Sequence, residues 1–181
     1  GVRLVGSEMC IRDRLLTEGL KDRFEIVSLS APQPHPSGLG RQWYPLYPHE
    51  WEQVPNAVLD LERRLRNLCF KHIPLNKTLL LGFSQGGAMA LEVATRIKFE
   101  GVFALSSYPH PDWKPYKDMP PVFLCHGNID QIVPVGASQK SFNILLENGA
   151  KSELYLFDGG HEISNDLINH CRGKIEEQFL S

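Results

Sequence analysis

The stretch LLLGFSQGGAMAL, residues 79–91, predicts a buried strand that turns directly into a helix. Its first half is a continuous apolar run, which is typical of a parallel strand buried on both faces. Met89, Val93 and Ile97 then recur on one helical stripe. Ser84 stands at the turn, among small residues, where it either caps the helix or acts as a nucleophile. Partners for this serine further along the chain decide between the two interpretations.

The rest of the chain repeats the alternation of strands and helices. Strands are predicted over residues 24–29, 78–83, 101–107, 120–127 and 152–160. Helices are predicted over residues 54–68, 85–97, 135–148 and 163–180. This alternation indicates an α/β fold in which a mostly parallel sheet carries helices on both faces. In such folds, ligands bind beyond the carboxyl ends of the strands.

The composition argues against several classes of partner and site. The chain has 181 residues, the size of one domain, and its net charge of −2 gives no electrostatic reason to expect nucleic acid or an acidic membrane as a partner. No apolar run approaches the roughly 20 residues that a membrane span needs. No His/Asp cluster has metal-ligand spacing, so neither a metal nor another cofactor is expected. Free thiols in a reducing, cytoplasmic setting are expected for four cysteines that form no CxxC pair: Cys10, Cys69, Cys125 and Cys171.

Three polar stretches follow three predicted strands, whose ends we expect to be successive in space. The first is G-x-S-x-G around Ser84, the second is CHGNIDQIVP with Asp130, and the third is FDGGHEIS with His161. Ser, Asp and His in this order, each on a loop after a different strand, is the order of α/β-hydrolases. A neutral imidazole can take the serine proton, while the carboxylate fixes the imidazole tautomer. We expect the backbone N–H of Gln85 to bind the oxyanion.

Other histidines and aspartates are weaker candidates for these roles. His126 precedes a glycine at a strand end and is interpreted as a structural residue. Surface positions are expected for three histidines of proline-rich loops, although they could line a pocket: His35, His49 and His110. Solvated helix ends are expected for two more: His72 and His170. Three aspartates are less favoured as the acid, one because it lies too close in sequence to His161 and two because they lie in a proline-rich loop: Asp158, Asp112 and Asp118.

A long loop over residues 31–50 separates the first predicted strand from the first predicted helix. It holds five of the 13 prolines, and long loops inside compact domains are usually functional or disordered. Its aromatic residues Trp43, Tyr44 and Tyr47 either serve the site or pin the loop to the core. Trp43 and Tyr108 are the predicted substrate-binding residues, although a place in the core is the open alternative for both.

The motifs GFSQGGAMAL, HGNIDQIVP and GGHEIS resemble those of the phospholipase/carboxylesterase family of α/β-hydrolases, which includes the acyl-protein thioesterases. The earlier stretch SLSAPQPHPSGLGRQWYPL is similar to a loop of the same family. The resemblance runs from about residue 15 to the end of the chain. It implies Ser84 as nucleophile, Asp130 as acid and His161 as base. It also implies carboxylic ester or thioester substrates, either small molecules or an acylated protein.

The beginning of the chain departs from the family pattern. Members of the family begin with strands and a histidine-glycine loop that gives a second oxyanion donor, and nothing here matches that loop. Residues 1–14 read GVRLVGSEMCIRDR, in which SEMCIRDR looks like a translated sequencing-adapter remnant. We therefore expect residues 1–14 to be a non-native leader and residues 15–181 to be a single, partial domain without its first strands. VRLVG could still form a strand that brings Gly6 or Ser7 near the oxyanion.

Two other functions stay open at the level of the sequence. One is a different serine hydrolase, similar to dienelactone hydrolases or peptidases. The other is a binding scaffold without catalysis. The presence of all three residues Ser84, Asp130 and His161 argues against a mere scaffold, whereas the missing oxyanion loop argues for it.

Overall fold

A computed structural model describes residues 2–6, 23–38, 40–46, 48–69 and 74–180. For residues 2–6 the description is of the backbone alone. Four residues with predicted or alternative roles lie outside these ranges: Ser7, Cys10, Tyr47 and His72. The expected boundary between residues 14 and 15 lies outside them too.

In the part of the chain that the structure describes, six parallel strands form the central sheet. Their ranges, in chain order, are β1 (Val2–Gly6), β2 (Ile26–Ser30), β5 (Leu79–Phe83), β6 (Gly101–Leu105), β7 (Val122–Gly127) and β8 (Ser152–Phe157). The spatial order is β2-β1-β5-β6-β7-β8, and every neighbouring pair is parallel. Two short strands pair antiparallel beside this sheet: β3 (Gln33–Pro34) and β4 (Arg41–Gln42). The predicted α/β architecture is confirmed.

The described part of the chain contains four α-helices, which follow or precede these strands: α1 (Val54–Cys69), α2 (Gln85–Val93), α3 (Gly136–Glu147) and α4 (Asn165–Phe179). Each corresponds to a predicted helix, with ends shifted by a few residues. Short 3-10 helices cover Trp51–Gln53 and Leu75–Lys77. The predicted strand over residues 101–107 ends early because Ser106 has φ 46°, a left-handed conformation that a strand does not contain.

The sheet separates two hydrophobic layers. Alternate residues of the central strands point to opposite faces, so Leu79 and Leu81 pack on the α4 side, while Leu80 packs on the side of α1, α2 and α3. Residues one helical turn apart on α4 complete the first layer: Leu167, Cys171 and Ile175. This two-sided burial explains why the strands read as continuous apolar runs.

One predicted feature of the topology is wrong. The three polar loops do not follow three successive strands, because β6 lies between β5 and β7. The loop after β5 nevertheless remains within reach of the loops after β7 and β8, since all three leave the same edge of the sheet. The pentapeptide VRLVG, which the sequence assigns either to a leader or to a strand, forms β1 between β2 and β5.

Two buried cysteines face each other across the α4 layer. Cys125 of β7 and Cys171 of α4 are free thiols, each about 1% exposed. A hydrogen bond with the Cys171 thiol, together with burial, raises the pKa of Cys125 well above its ordinary value.

Within the described ranges, no helix combines the length and apolar character needed to cross a bilayer.

Candidate active site

Ser84 occupies a strained turn between β5 and α2. Its backbone has φ 53° and ψ −122°, a combination that residues with a Cβ rarely adopt. Gly82 permits the turn, because a Cβ there would lie 2.2 Å from the Gly86 carbonyl oxygen. The Ser84 side chain makes no capping hydrogen bond to α2, so the helix-capping interpretation is wrong. The turn instead presents the hydroxyl beyond the end of the strand, as a nucleophile elbow does.

His161 lies within hydrogen-bond distance of Ser84. Its Nε2 is 3.1 Å from Ser84 Oγ, and its Nδ1 is 2.7 Å from Asp130 Oδ2. The Phe83 ring packs against the imidazole, with 4.8 Å between ring centroids. A neutral imidazole in this position can accept the serine proton at Nε2 while Nδ1–H donates to the carboxylate.

Asp130 is held by its own turn. Its Oδ1 accepts hydrogen bonds from the backbone N–H groups of Ile132 and Val133, both at 2.9 Å, and its side chain is fully buried. The loop reaches His161 because β7 and the chain after β8 come very close. A Cβ on Gly127 would lie 2.3 Å from the Gly159 carbonyl oxygen, so only glycine fits there.

His126 supports the turn that holds Asp130. Its Nε2 donates to the Val133 carbonyl oxygen at 2.8 Å and lies 3.3 Å from Asp130 Oδ2, while its Nδ1 lies 2.6 Å from Ser138 Oγ. Burial lowers the pKa of His126, an effect that the Val133 carbonyl and Asp130 partly oppose. The expected structural role fits this geometry, because His126 contacts the carboxylate without reaching Ser84.

Gln85 connects the serine turn to the long loop before α1. Its Oε1 accepts from the Trp43 backbone N–H and its Nε2 donates to the Tyr44 carbonyl oxygen, both at 2.8 Å. Its backbone N–H lies in the first turn of α2, where N–H groups have no partner within the helix. Sequence reasoning proposed only this backbone N–H and missed the side chain, whose long-range partners leave no local signal.

A cavity of about 400 Å³ opens beside Ser84. This volume falls in the range of small-molecule sites, roughly 300–1,000 Å³. Most of its wall is apolar and comes from three loops and the start of α3, including Leu46, Trp51, Tyr108, Ile132, Pro134 and Ala137. The lining contains Tyr108, one of the two predicted substrate-binding residues.

The prediction that Trp43 binds substrate is wrong. Trp43 is 1% exposed, belongs to the core and does not line the cavity. The Arg64 guanidinium lies over its ring, 5.6 Å from the centroid, and closes it off from the outside. Tyr44 is likewise fully buried. Both aromatic side chains pin the loop to the core, which was the alternative interpretation.

The remaining histidines differ in part from expectation. His110 is not a surface residue: it is 5% exposed and lies 2.6 Å from the Tyr44 hydroxyl. His49 is exposed, lines the cavity and stacks on Trp51. His35 bonds Ser37 on a surface loop. His170 lies inside α4 rather than at its end and stacks on Tyr155, with 3.6 Å between centroids.

The alternative acids are exposed, whereas Gly6, an alternative oxyanion donor, ends β1 close to the serine turn. Solvent-exposed positions are occupied by three aspartates: Asp112, Asp118 and Asp158. In the pairing of β1 with β5, Val5 lies opposite Gly82. Gly6 is the next residue and ends β1, so its backbone lies at the same edge of the sheet as Ser84. Among the described residues, no group of three or more His, Cys, Asp or Glu side chains could hold a metal.

Comparison with known proteins supplies the family. The model of the phospholipase/carboxylesterase family matches residues 15–177. Acyl-protein thioesterase 1 of Neurospora crassa is 31% identical over 121 residues, which are 59% of this chain and 48% of the relative. Lysophospholipase-like protein 1 of Mus musculus is 27% identical over 175 residues, which are 86% of this chain and 70% of the relative. The chain thus spans about half the length of the Neurospora protein.

A solved structure extends the likeness to three dimensions. The crystal structure of esterase PE8 matches with a TM-score of 0.86 and 27% identity, covering 98% of this chain and 91% of that one. The chain therefore has the α/β-hydrolase fold, with the serine turn, the carboxylate loop and the histidine loop at the carboxyl edge of its parallel sheet. Since the family model covers most of its length, the chain belongs to the phospholipase/carboxylesterase family.

Proposed function

We propose that the protein is a serine hydrolase that cleaves carboxylic esters or thioesters through Ser84, His161 and Asp130. The observation that carries this proposal is the continuous chain of hydrogen bonds from Ser84 Oγ through His161 to Asp130, at 3.1 and 2.7 Å, on a strained turn beside an open cavity. Membership of the phospholipase/carboxylesterase family supports the same reaction class.

The first half of the reaction forms an acyl-enzyme. Ser84 Oγ attacks the carbonyl carbon of the substrate while His161 Nε2 takes the serine proton. The carbonyl oxygen becomes an oxyanion, to which the backbone N–H of Gln85 donates a hydrogen bond. When the intermediate collapses, the C–O or C–S bond breaks and His161 returns its proton to the departing alcohol or thiol.

The second half releases the acid. A water molecule gives a proton to His161 Nε2 and attacks the acyl carbon. When this intermediate collapses, the bond between the acyl carbon and Ser84 Oγ breaks, His161 returns its proton to Ser84 Oγ, and the carboxylic acid is released. Asp130 accepts from Nδ1–H throughout, which stabilises the imidazolium and keeps Nε2 directed at the serine. No metal or organic cofactor is required by these steps.

The substrate class follows from the wall of the cavity. A cavity of about 400 Å³ with a mostly apolar lining, next to the proposed nucleophile, suits an acyl or alcohol group of modest size. We propose small esters and thioesters as substrates. We propose S-acylated proteins as a further class, because the similar Neurospora crassa protein is named an acyl-protein thioesterase.

Covalent labelling tests the proposal. The purified chain is treated with a fluorophosphonate, and the modified residue is located by mass spectrometry, with Ser84→Ala as the matched control. Labelling at Ser84 that is absent from the control supports an activated nucleophile. A chain that is folded by circular dichroism but takes no label contradicts the proposal and favours the alternative of a non-catalytic scaffold.

We also propose a reducing, cytoplasmic setting. The support is that Cys125 and Cys171 remain free thiols although they contact each other in the core. Such pairs persist as thiols where glutathione and thioredoxin keep the compartment reduced.

A further inference from the structure

The wall of the cavity beside Ser84 contains basic groups and no acidic ones. Two of its described residues have basic side chains, Lys140 and His49, and none has a carboxylate. Apart from these two, Ser84 and Tyr108, the described wall residues are apolar or aromatic. A pocket of this kind relies on a few polar groups to select and orient its ligand. A basic group in a wall without acids therefore favours an anionic ligand.

Helix geometry directs the Lys140 side chain toward the cavity. Lys140 and Ala137 lie three residues apart on one face of α3, and both belong to the cavity wall. Side chains of a helix lean toward its first residue, and α3 begins at Gly136, after the loop that follows β7. The lysine stem therefore runs back along α3 toward the cavity and ends in an ammonium group with three hydrogen-bond donors.

No carboxylate of the described residues forms an ion pair with Lys140. The positions three and four residues away on α3, where a helical ion pair would form, hold neither Asp nor Glu. Asp130, the acid of the preceding loop, is fully buried and already accepts from His161 and from two backbone N–H groups. The positive charge of Lys140 is therefore left for a group that enters the cavity.

We infer that Lys140 is a specificity-determining residue whose ammonium group binds a carboxylate on the substrate. The preferred substrates are esters or thioesters that carry a free carboxylate besides the bond to be cleaved. The single charge of one lysine matches a carboxylate better than the nearly two charges of a phosphomonoester. This inference rests on the proposed hydrolase function and adds a substrate class to it.

Pairs of esters that differ by carboxylate against nitro group test the inference, because the two groups have nearly the same shape and only the carboxylate is charged. On the acyl side, monomethyl glutarate is compared with methyl 4-nitrobutanoate, and on the alcohol side 3-carboxypropyl butanoate is compared with 3-nitropropyl butanoate. For at least one pair, the carboxylate-to-nitro ratio of kcat/KM should exceed one and should fall about fivefold in Lys140→Met. The fall should appear in KM rather than in kcat, because the ammonium group binds a part of the substrate that does not react.

Matched variants separate the charge of Lys140 from its shape and from the net charge of the protein. Lys140→Arg keeps the positive charge and should keep most of the ratio, whereas Lys140→Glu should lower the ratio below that of Lys140→Met. Lys98→Met is the matched control, because Lys98 is an exposed lysine outside the cavity wall. Ser84, Tyr108 and His49 are the same in all these variants, so a change in the ratio reports on residue 140.

Salt provides a second readout, because Lys140 is exposed. Dissolved ions screen charges at a surface, so raising the salt from about 0.02 M to about 0.5 M should lower the wild-type ratio and leave that of Lys140→Met nearly unchanged. A ratio that is equal in the wild type and in Lys140→Met for both pairs overturns the inference. A wild-type ratio below one for both pairs, or an equal fall in Lys98→Met, overturns it as well.

Binding without turnover separates this inference from the proposed function. In Ser84→Ala, the dissociation constants of the same esters are measured by NMR titration, with and without Lys140→Met. Should the wild type hydrolyse no ester, the hydrolase function fails, and the binding constants still decide the role of Lys140. Tighter binding of the carboxylate members that depends on Lys140 supports the inference, and equal binding of the two members contradicts it.

Discussion

Asp130 is the residue at which the hydrogen bonds of the loops after β7 and β8 meet. Its two oxygens accept from His161 and from two backbone N–H groups, and His126 stands 3.3 Å behind it. A carboxylate that is held this way needs no reorganisation when His161 becomes charged in the proposed reaction. Substitution of this one residue therefore tests whether the carboxylate acts through the imidazole of His161.

Asp130→Asn should lower kcat by about 10³–10⁴ with little change in KM, because an amide cannot select the tautomer that leaves Nε2 free to accept the serine proton. Asp158→Asn is the matched control, since Asp158 is exposed and lies on the same loop as His161. Steady-state kinetics on a 4-nitrophenyl ester provides the measurement. An Asn variant with wild-type kcat would remove Asp130 from the proposed mechanism.

The buried His126 makes stability depend on pH in a defined direction. Because burial lowers its pKa in the folded protein, the unfolded chain takes up a proton below pH about 6.5 that the folded chain does not. The free energy of unfolding should therefore fall as the pH drops from about 6.5 toward the folded-state pKa, and this term vanishes above that range. Urea denaturation at pH 7.5 and 5.5 measures the change.

His126→Gln should reduce that loss, because the titrating group is gone. His170 contributes with the same sign, since burial and Lys174 lower its pKa too. The double variant with His170→Gln should therefore be the least sensitive to pH, with His35→Gln as the control substitution. A wild-type slope in the double variant would contradict this explanation.

At the scale of elements, the close approach of β5 to α2 sets the position of Ser84, the proposed nucleophile. Gly82 and Gly86 bring strand and helix so close that a single methyl group would collide with backbone. The side chain of Gln85 then fastens the loop of residues 43–44 to the same turn. Turn, helix and loop thus form one unit around Ser84.

Gly82→Ala should destabilise the protein by several kcal/mol, because its Cβ would meet the Gly86 carbonyl at 2.2 Å and neither backbone can yield cheaply. Gly173→Ala is the matched control. It lies in α4 with open space around its Cα, and alanine should stabilise that helix by roughly 0.5–1 kcal/mol. Thermal unfolding followed by circular dichroism distinguishes the two. Equal stabilities would contradict the packing assigned to the turn.

Gln85→Ala should cost about 2–4 kcal/mol, since it leaves the Trp43 N–H and the Tyr44 carbonyl buried without partners. Hydrogen exchange at Trp43 should speed up more than exchange in β7. Gln85→Glu keeps the acceptor for Trp43 but turns a carboxylate oxygen toward the Tyr44 carbonyl oxygen in a buried site, so it should be no more stable than alanine. An alanine variant with wild-type exchange would refute the fastening role.

At the scale of the whole molecule, the alternation of apolar runs and amphipathic stretches is enough to predict the layers. A two-sided parallel sheet buries its strands on both faces, and that burial is visible in a run such as LLLGF. The order of the strands is not visible in the same way. The placement of β1 between β2 and β5 depends on contacts far apart in sequence, which local periodicity does not encode.

In the candidate site, too, some residues could be predicted from the sequence and others could not. Ser84, Asp130 and His161 could be predicted because each follows a strand and their order along the chain is informative. Trp43 could not be assigned correctly, because an aromatic residue in a proline-rich loop carries no periodic signal that separates core from pocket. The hydrogen bonds from Tyr44 to His110 and from His110 to Glu92 join three segments that are distant in sequence, so only the folded chain reveals them.

The central claim is that Ser84 becomes acylated during turnover. The most direct measurement is intact-protein and peptide mass spectrometry of the chain after acid quenching of a reaction with 4-nitrophenyl butanoate. We predict a butanoyl adduct on Ser84 that forms with a burst of 4-nitrophenol and is absent from Ser84→Ala. Ester turnover without an adduct on Ser84, or with the adduct on another residue, would contradict it.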